Sequence, residues 1–354
     1  MFRRKKLLLA LTLILGLAIG AAGGYLVQAK LKPKPKASTQ KVVKVTKSSS
    51  PAASNKPNAT TTPADPEKIR RVMTFLSANI GPRPEGKAGE KQAASYLLTE
   101  LEKLGYKVGM EEFVLPSGSS SQNLVTADPG QSSKYTFFVC AHIDSKSGSP
   151  GANDNASGCA AVLDLARTLK GTKHYPEVRF LLFGAEENNS SGTGRFGSRH
   201  YLGTQPEVER AKVLGVLSLD TIGVGSENTF RDWGARSPGL ADALVNYTQG
   251  KGLVSKRLQG QGSDHEPFGD AGIPAVWLER MLPGSQADTK AGTSEDTMDH
   301  VYVNLVAESV NLARDYLLSL DAKTCKSMYD AAHAPVSGAQ PGGDTTTSPG
   351  NSGN

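Results

Sequence analysis

Three apolar runs in this chain end in side chains that can hold a metal or move a proton. Phe137-Phe138-Val139-Cys140-Ala141 finishes in His142-Ile143-Asp144, Val178 to Phe183 runs into Gly184-Ala185-Glu186-Glu187, and Val213 to Leu219 stops at Asp220. Ten residues after Asp144, the polar turn Gly151-Ala152-Asn153-Asp154-Asn155-Ala156-Ser157-Gly158 leads into an apolar helical pattern. Each segment alone has an ordinary explanation. His142 could make a structural hydrogen bond, Asp154 could serve the backbone of its turn, Ser157 could cap the next helix, and Asp220 could be a cap. Three successive strands ending on acids or a histidine argue instead for one shared site.

Residues two apart on a strand face the same side, so His142 can offer one ring nitrogen to a metal while Asp144 holds the other. Adjacent Glu186 and Glu187 repel each other unless solvent or a cation intervenes. A division of labour follows, with Glu187 binding metal and Glu186 acting as general base. His142, Asp154, Glu187 and Asp220 then supply the nitrogen and oxygen ligands that suit zinc or another divalent ion. The expected chemistry is polarisation of a carbonyl and activation of a water, with Glu186 carrying the proton to a leaving amine.

The elements that must position these residues alternate between helix and strand. Asp65-Pro66 reads as an N-cap and first helical position for Ile69, Val72, Met73, Leu76 and Ile80, and a second helix carries Ala93, Leu97, Leu101 and Leu104 before Gly105 stops it. Buried strands over 136–141, 178–183 and 213–219 are separated or followed by helical patterns over 158–169, 240–247 and 303–320. That order predicts an α/β domain over 64–322 with a largely parallel sheet. Ligands collect beyond the C-terminal ends of such strands, where the polar residues lie.

The 354 residues suffice for one large domain with appendages. The formal charge of +6 is concentrated at one end, because residues 1–62 hold twelve Lys and Arg and no acid, leaving 28 basic against 34 acidic residues elsewhere. No basic stripe with interleaved aromatics remains, which argues against nucleic acid as a partner. Arg3, Arg4, Lys5 and Lys6 precede an apolar run from Leu7 to about Ala29, a signal-anchor or a signal peptide cleaved after Ala29. The positive flank stays inside and the rest is exported, giving a single-pass membrane protein or a secreted one. Residues 30–63 read as a flexible basic linker and 323–354 as a disordered tail. Cys140, Cys159 and Cys325 form no metal spacing and are expected buried and unpaired, with a Cys140–Cys159 disulfide as the alternative in an oxidising compartment.

These residues closely resemble the zinc-dependent aminopeptidase family that also contains glutaminyl-cyclase-like enzymes. The likeness rests on Gly81-Pro82-Arg83-Pro84, His142-x-Asp144, Gly151 to Gly158, Glu186-Glu187, Ser218-Leu219-Asp220, Ser263-Asp264-His265, Gly272-Ile273-Pro274-Ala275 and Glu295-Asp296-Thr297. It implies a mixed sheet flanked by helices and a pair of divalent ions sharing Asp154. His142 and Asp220 would complete the first ion's site, Glu187 would serve the second, Glu186 would be the base, and Asp144 would orient His142. Asp264 matches an acid near the substrate in cyclase-like relatives. One departure stands out: where the family places Tyr-His-Thr before its Asp-Thr segment, this chain has Ala291-Gly292-Thr293. Gly292 has no side chain to bind a second ion, and neither His265 nor His300 is in register to replace it. The centre is therefore expected to hold one or two ions and to act on a peptide or protein substrate as an exopeptidase. A non-catalytic ectodomain and a cyclase-like acyl transferase are the rival readings.

Overall fold

The computed structural model describes residues 61–187 and 193–335. The signal-anchor, nearly all of the linker, residues 188–192 and the last part of the tail lie outside the described residues. No described helix is long and apolar enough to cross a membrane.

In chain order the elements are α1 (Pro66–Thr74), α2 (Ala88–Lys103), β1 (Gly109–Val114), β2 (Ser120–Asp128), β3 (Ser132–His142), α3 (Ser157–Leu169), β4 (Pro176–Phe183), α4 (Phe196–Thr204), α5 (Glu207–Arg210), β5 (Val213–Leu219), β6 (Glu227–Trp233), α6 (Pro238–Gly250), β7 (Ser255–Gln259), α7 (His265–Asp270), β8 (Ala275–Met281), α8 (Val303–Ser319) and α9 (Ala322–His333). Local chemistry sets the helix ends. Asp65 Oδ1 accepts the backbone N–H groups of Glu67 and Lys68 at 3.1 and 3.2 Å, and Pro66 follows at the first helical position. Gly105, at φ +87°, stops the chain after α2.

The strands form one mixed sheet in the order β1-β2-β4-β3-β5-β8-β6-β7. Its centre, β4-β3-β5-β8, is parallel, while β1, β2 and the pairing of β6 with β8 are antiparallel. Alternation along β3 divides the core. Phe137, Val139 and Ala141 join the cluster under α1, α3 and α8, whereas Phe138 and Cys140 pack with Tyr201 of α4 and Phe268 of α7. Helices therefore cover both faces, and β3, β4 and β5 deliver His142, Glu186 and Asp220 to one edge.

Two expectations needed correction. Residues 323–333 form a helix instead of a disordered tail, because Asp321 caps α9 by accepting the Thr324 N–H at 2.7 Å and Cys325 is buried. Asn155, not Ser157, meets the orphan amide at the start of α3: its Oδ1 accepts the Gly158 N–H at 2.8 Å, and Ser157 Oγ donates to Asn153 O at 2.6 Å. The three cysteines are buried and unpaired.

A fully buried arginine ties the segment before α2 to the segment carrying the site. Arg83 Nε donates to Ile143 O at 2.9 Å, Nη1 to Leu76 O, Gly81 O and Pro150 O at 3.0, 3.0 and 2.7 Å, and Nη2 to Gly151 O at 3.0 Å. Its own backbone N–H donates to Ser145 Oγ at 3.0 Å, and its carbonyl accepts the Ser145 N–H at 3.1 Å. The chain from Ile143 to Gly151 is thus pinned from below. Lysine cannot serve this array, since it has three donors in one compact head and no planar fork. Arg83→Lys is expected to cost roughly 2–4 kcal/mol through buried carbonyls left unmet. The check is urea unfolding: a midpoint unchanged from the parent would contradict this account of Arg83.

Candidate metal centre

His142 ends β3, Asp220 follows β5, and Asp154 sits in the turn before α3; one ligand atom of each lies within 4.8 Å of the other two. His142 Nε2 faces Asp154 Oδ1 at 3.2 Å and Asp220 Oδ1 at 3.5 Å, yet neither Nε2 nor that Asp220 oxygen finds an acceptable hydrogen bond. Buried polar atoms converging on one point without partners are what a missing cation leaves behind. Burial works against a charge on His142, but the two carboxylates together with Asp144 overcome it and hold the imidazole pKa well above its ordinary value. Burial likewise resists ionisation of Asp154, and hydrogen bonding to His142 with attraction to His142, Lys146 and Arg83 outweighs it, lowering the pKa. This donor set fits a divalent ion such as zinc.

The backbone around these side chains is held by other acids. Asp144 Oδ1 accepts the Glu186 N–H at 2.9 Å and Oδ2 the Glu187 N–H at 3.0 Å, so its carboxylate fixes the acidic loop. Its link to the His142 ring is closer through the backbone, with Nδ1 at 3.1 Å from Asp144 O and 3.5 Å from Oδ1. Asp296 accepts the Asn153 and Asp154 N–H groups at 2.6 and 3.0 Å, bracing the turn. From α2, Glu90 reaches across to accept the Ala185 N–H at 2.9 Å and the Ser121 hydroxyl at 2.7 Å. Ala185 and Thr221, next to Glu186 and Asp220, both sit at φ +54°, a left-handed conformation uncommon for such residues.

Glu186 and Glu187 follow β4 with an unpaired, buried oxygen apiece. Burial, and after it charge repulsion, pushes the Glu187 pKa to about 9 and that of Glu186 well above the carboxylate range. Glu186 Oε1 lies 3.8 Å from Arg195 Nη1, and Arg195 is also paired with Glu266 at 3.1 Å. Glu187 Oε2 lies 3.7 Å from Lys146 Nζ, so Glu187 is beside an ammonium and outside the His142, Asp154 and Asp220 group. Asp264, just before α7, is fully buried, and burial pushes its pKa to about 7.

The other histidines are engaged elsewhere. His265 Nε2 is 2.9 Å from Gly260 O, and burial depresses its pKa to about 4. His300 Nε2 is 2.8 Å from Asp288 Oδ1, and Asp288 in turn accepts from Asn153 Nδ2 at 2.9 Å. Residue-by-residue reading passed over Glu90, Arg195 and Lys146. Only Lys146 carried a local signal, as a charge four residues beyond the strand end at His142.

Residues 123–317, more than half of the chain, match the model of peptidase family M28. Leupeptin-inactivating enzyme 1 of Streptomyces exfoliatus is 33% identical over 245 residues, which cover 66% of this chain and 53% of that protein. This chain thus spans about half the length of that relative. Among solved structures, BSAP, a zinc aminopeptidase from Bacillus subtilis, superposes with a TM-score of 0.66 at 20% identity, covering 72% of this chain and 94% of that one. A glutaminyl cyclase from Porphyromonas gingivalis gives 0.62 at 21%, covering 72% and 98%. At such identities the two structures speak for the α/β fold, and the family match speaks for descent. The chain belongs to peptidase family M28.

Proposed function

We propose that this chain is a metal-dependent exopeptidase, an aminopeptidase acting on peptides or proteins outside the cytoplasm. The observation that carries the reading is the convergence of His142, Asp154 and Asp220 on one buried point, with the Glu186 carboxylate beside it. His142, Asp154 and Asp220 would hold the ion, zinc being the best match to this donor set. When bound, a divalent ion there supplies Lewis acidity for a substrate carbonyl and acidifies a water.

Glu186 is the proton carrier in this reading. It is a buried carboxylate whose ionised form is disfavoured by burial and by Asp264, Glu187 and Asp220, and favoured by His142. Such a group takes a proton readily from an attacking water and can return it to the leaving amine. Asp144 fixes its reach by holding the amides of Glu186 and Glu187. Arg195 limits its movement from the other side.

Chelation followed by dialysis should abolish release of amino acids from a short peptide panel, and zinc should restore it. Retained activity in metal-free protein would end the metal reading. Loss of ammonia from N-terminal Gln, without hydrolysis, would instead identify a cyclase-like transferase. Glu186→Gln should lower kcat by roughly two to four powers of ten, with metal content and unfolding midpoint unchanged. Near-parent turnover in the purified variant would remove Glu186 from the mechanism.

The location rests on the N-terminal charge pattern, Arg3 to Lys6 ahead of the apolar run from Leu7 to about Ala29. The chain is then either anchored in the membrane or secreted after cleavage, with no nucleic-acid partner. Protease added to intact spheroplasts should remove a C-terminal tag from anchored protein. Full protection of the tag behind an intact membrane would reverse the orientation.

A further inference from the structure

The metal centre is asymmetric. Asp154 offers Oδ1 toward His142, and its other oxygen, Oδ2, points toward Gly292. Glu187 stands on that second side, where two carboxylates with burial-opposed charges need a cation. The family's arrangement, as the sequence resemblance implies it, would fill this place with a second ion and a histidine at position 292.

Here the place is taken. Lys146 Nζ lies 3.7 Å from Glu187 Oε2, and Glu187 is the strongest influence raising its pKa, followed after the opposing cost of burial by Asp154, Glu186 and Asp220. A Cβ built at Gly292 would fall 2.8 Å from Lys146 Cδ and 2.9 Å from Nζ, and 3.4 Å from Asp154 Oδ2. A side chain at 292 would therefore have to displace the flexible end of the lysine from its place beside Glu187. Its backbone is held in a tight turn, since the Ser149 N–H donates to Lys146 O at 2.9 Å and Ser145 Oγ donates to Ser149 O at 2.9 Å. Arg83 clamps both ends of that turn. A bare Gly at 292 leaves room for the Lys146 side chain.

We propose that the centre is mononuclear and that the Lys146 ammonium replaces the second cation, neutralising Glu187 and the outer oxygen of Asp154. This rests on the metal reading above and narrows it. One ion at His142, Asp154 and Asp220 leaves the Glu187 side with an organic cation that cannot be chelated away. Because the lysine side chain is half exposed, its charge also faces whatever approaches the site.

The test is metal stoichiometry, by elemental analysis and by titration of stripped protein with zinc. The parent should bind one ion per chain. Gly292→His alone should still bind one, because the new side chain meets Lys146. Lys146→Arg should bind one, because the charge remains. Lys146→Ala combined with Gly292→His should bind two, with second-ion affinity at least about tenfold above either single variant, and Lys146→Ala with Gly292→Ala controls for the positive φ at 292, where His is better tolerated than most side chains. Two tight ions in the parent would overturn the proposal while leaving the metallopeptidase reading intact, whereas no ion in the parent would overturn that reading as well. A folded double variant that keeps parent affinity for the first ion and gains no second would also overturn the role given to Lys146. If the variants fail to fold, the parent's stoichiometry decides.

Discussion

The arrangement of this site depends on a guanidinium buried among backbone carbonyls. Arg83 uses its fork to bind oxygens from four separate stretches: Leu76, Gly81, Ile143, and the pair Pro150 and Gly151. Burial depresses its pKa, and nearby carboxylates, among them Asp144, Asp296 and Asp154, offset that cost. A buried cation of this kind contributes position more than net stability, since desolvation consumes much of the attraction. Its effect is to fix where the strand end at Ile143 stops and where the polar turn at Gly151 begins. Asp144, Lys146 and Asp154 take their places from those two points.

The same charge accounting governs the layer above. Asp154, Glu186, Glu187, Asp220 and Asp264 are all buried at one edge of the sheet, and burial raises the proton affinity of Glu186, Glu187 and Asp264. A compact cluster of that sign persists only with compensating positive charge. His142 meets it on one side, and Lys146 and Arg195 meet it on the other as permanent cations.

Outer carboxylates hold the loops so that the inner ones can remain unpaired. Asp144, Asp296 and Glu90 each spend their oxygens on backbone amides, at Glu186 and Glu187, at Asn153 and Asp154, and at Ala185. These bonds sustain the left-handed Ala185, whose strain an unsupported loop would relax. The sheet supplies the rest: β3, β4 and β5 are neighbours and parallel, so their C-terminal ends lie side by side.

Much of this was legible in the residues themselves. Apolar runs ending in His142, Glu186 and Asp220 marked β3, β4 and β5, though not β8, and parallel strands must release their last residues on one edge, so the meeting of His142 and Asp220 followed from local pattern. The outer strands β1, β2, β6 and β7 were not legible; in β2, Ser121 and Asn123 are buried through hydrogen bonds to Glu90 and Gly197 instead of through apolarity. The helix over 322–333 escaped for a related reason, its core contact resting on few residues such as Cys325. The sequence by itself determined that position 292 has no ligand. Only the tertiary structure decided what stands there, since Lys146 is 146 positions away along the chain and reaches Gly292 solely because Arg83 fixes the turn between Ser145 and Gly151.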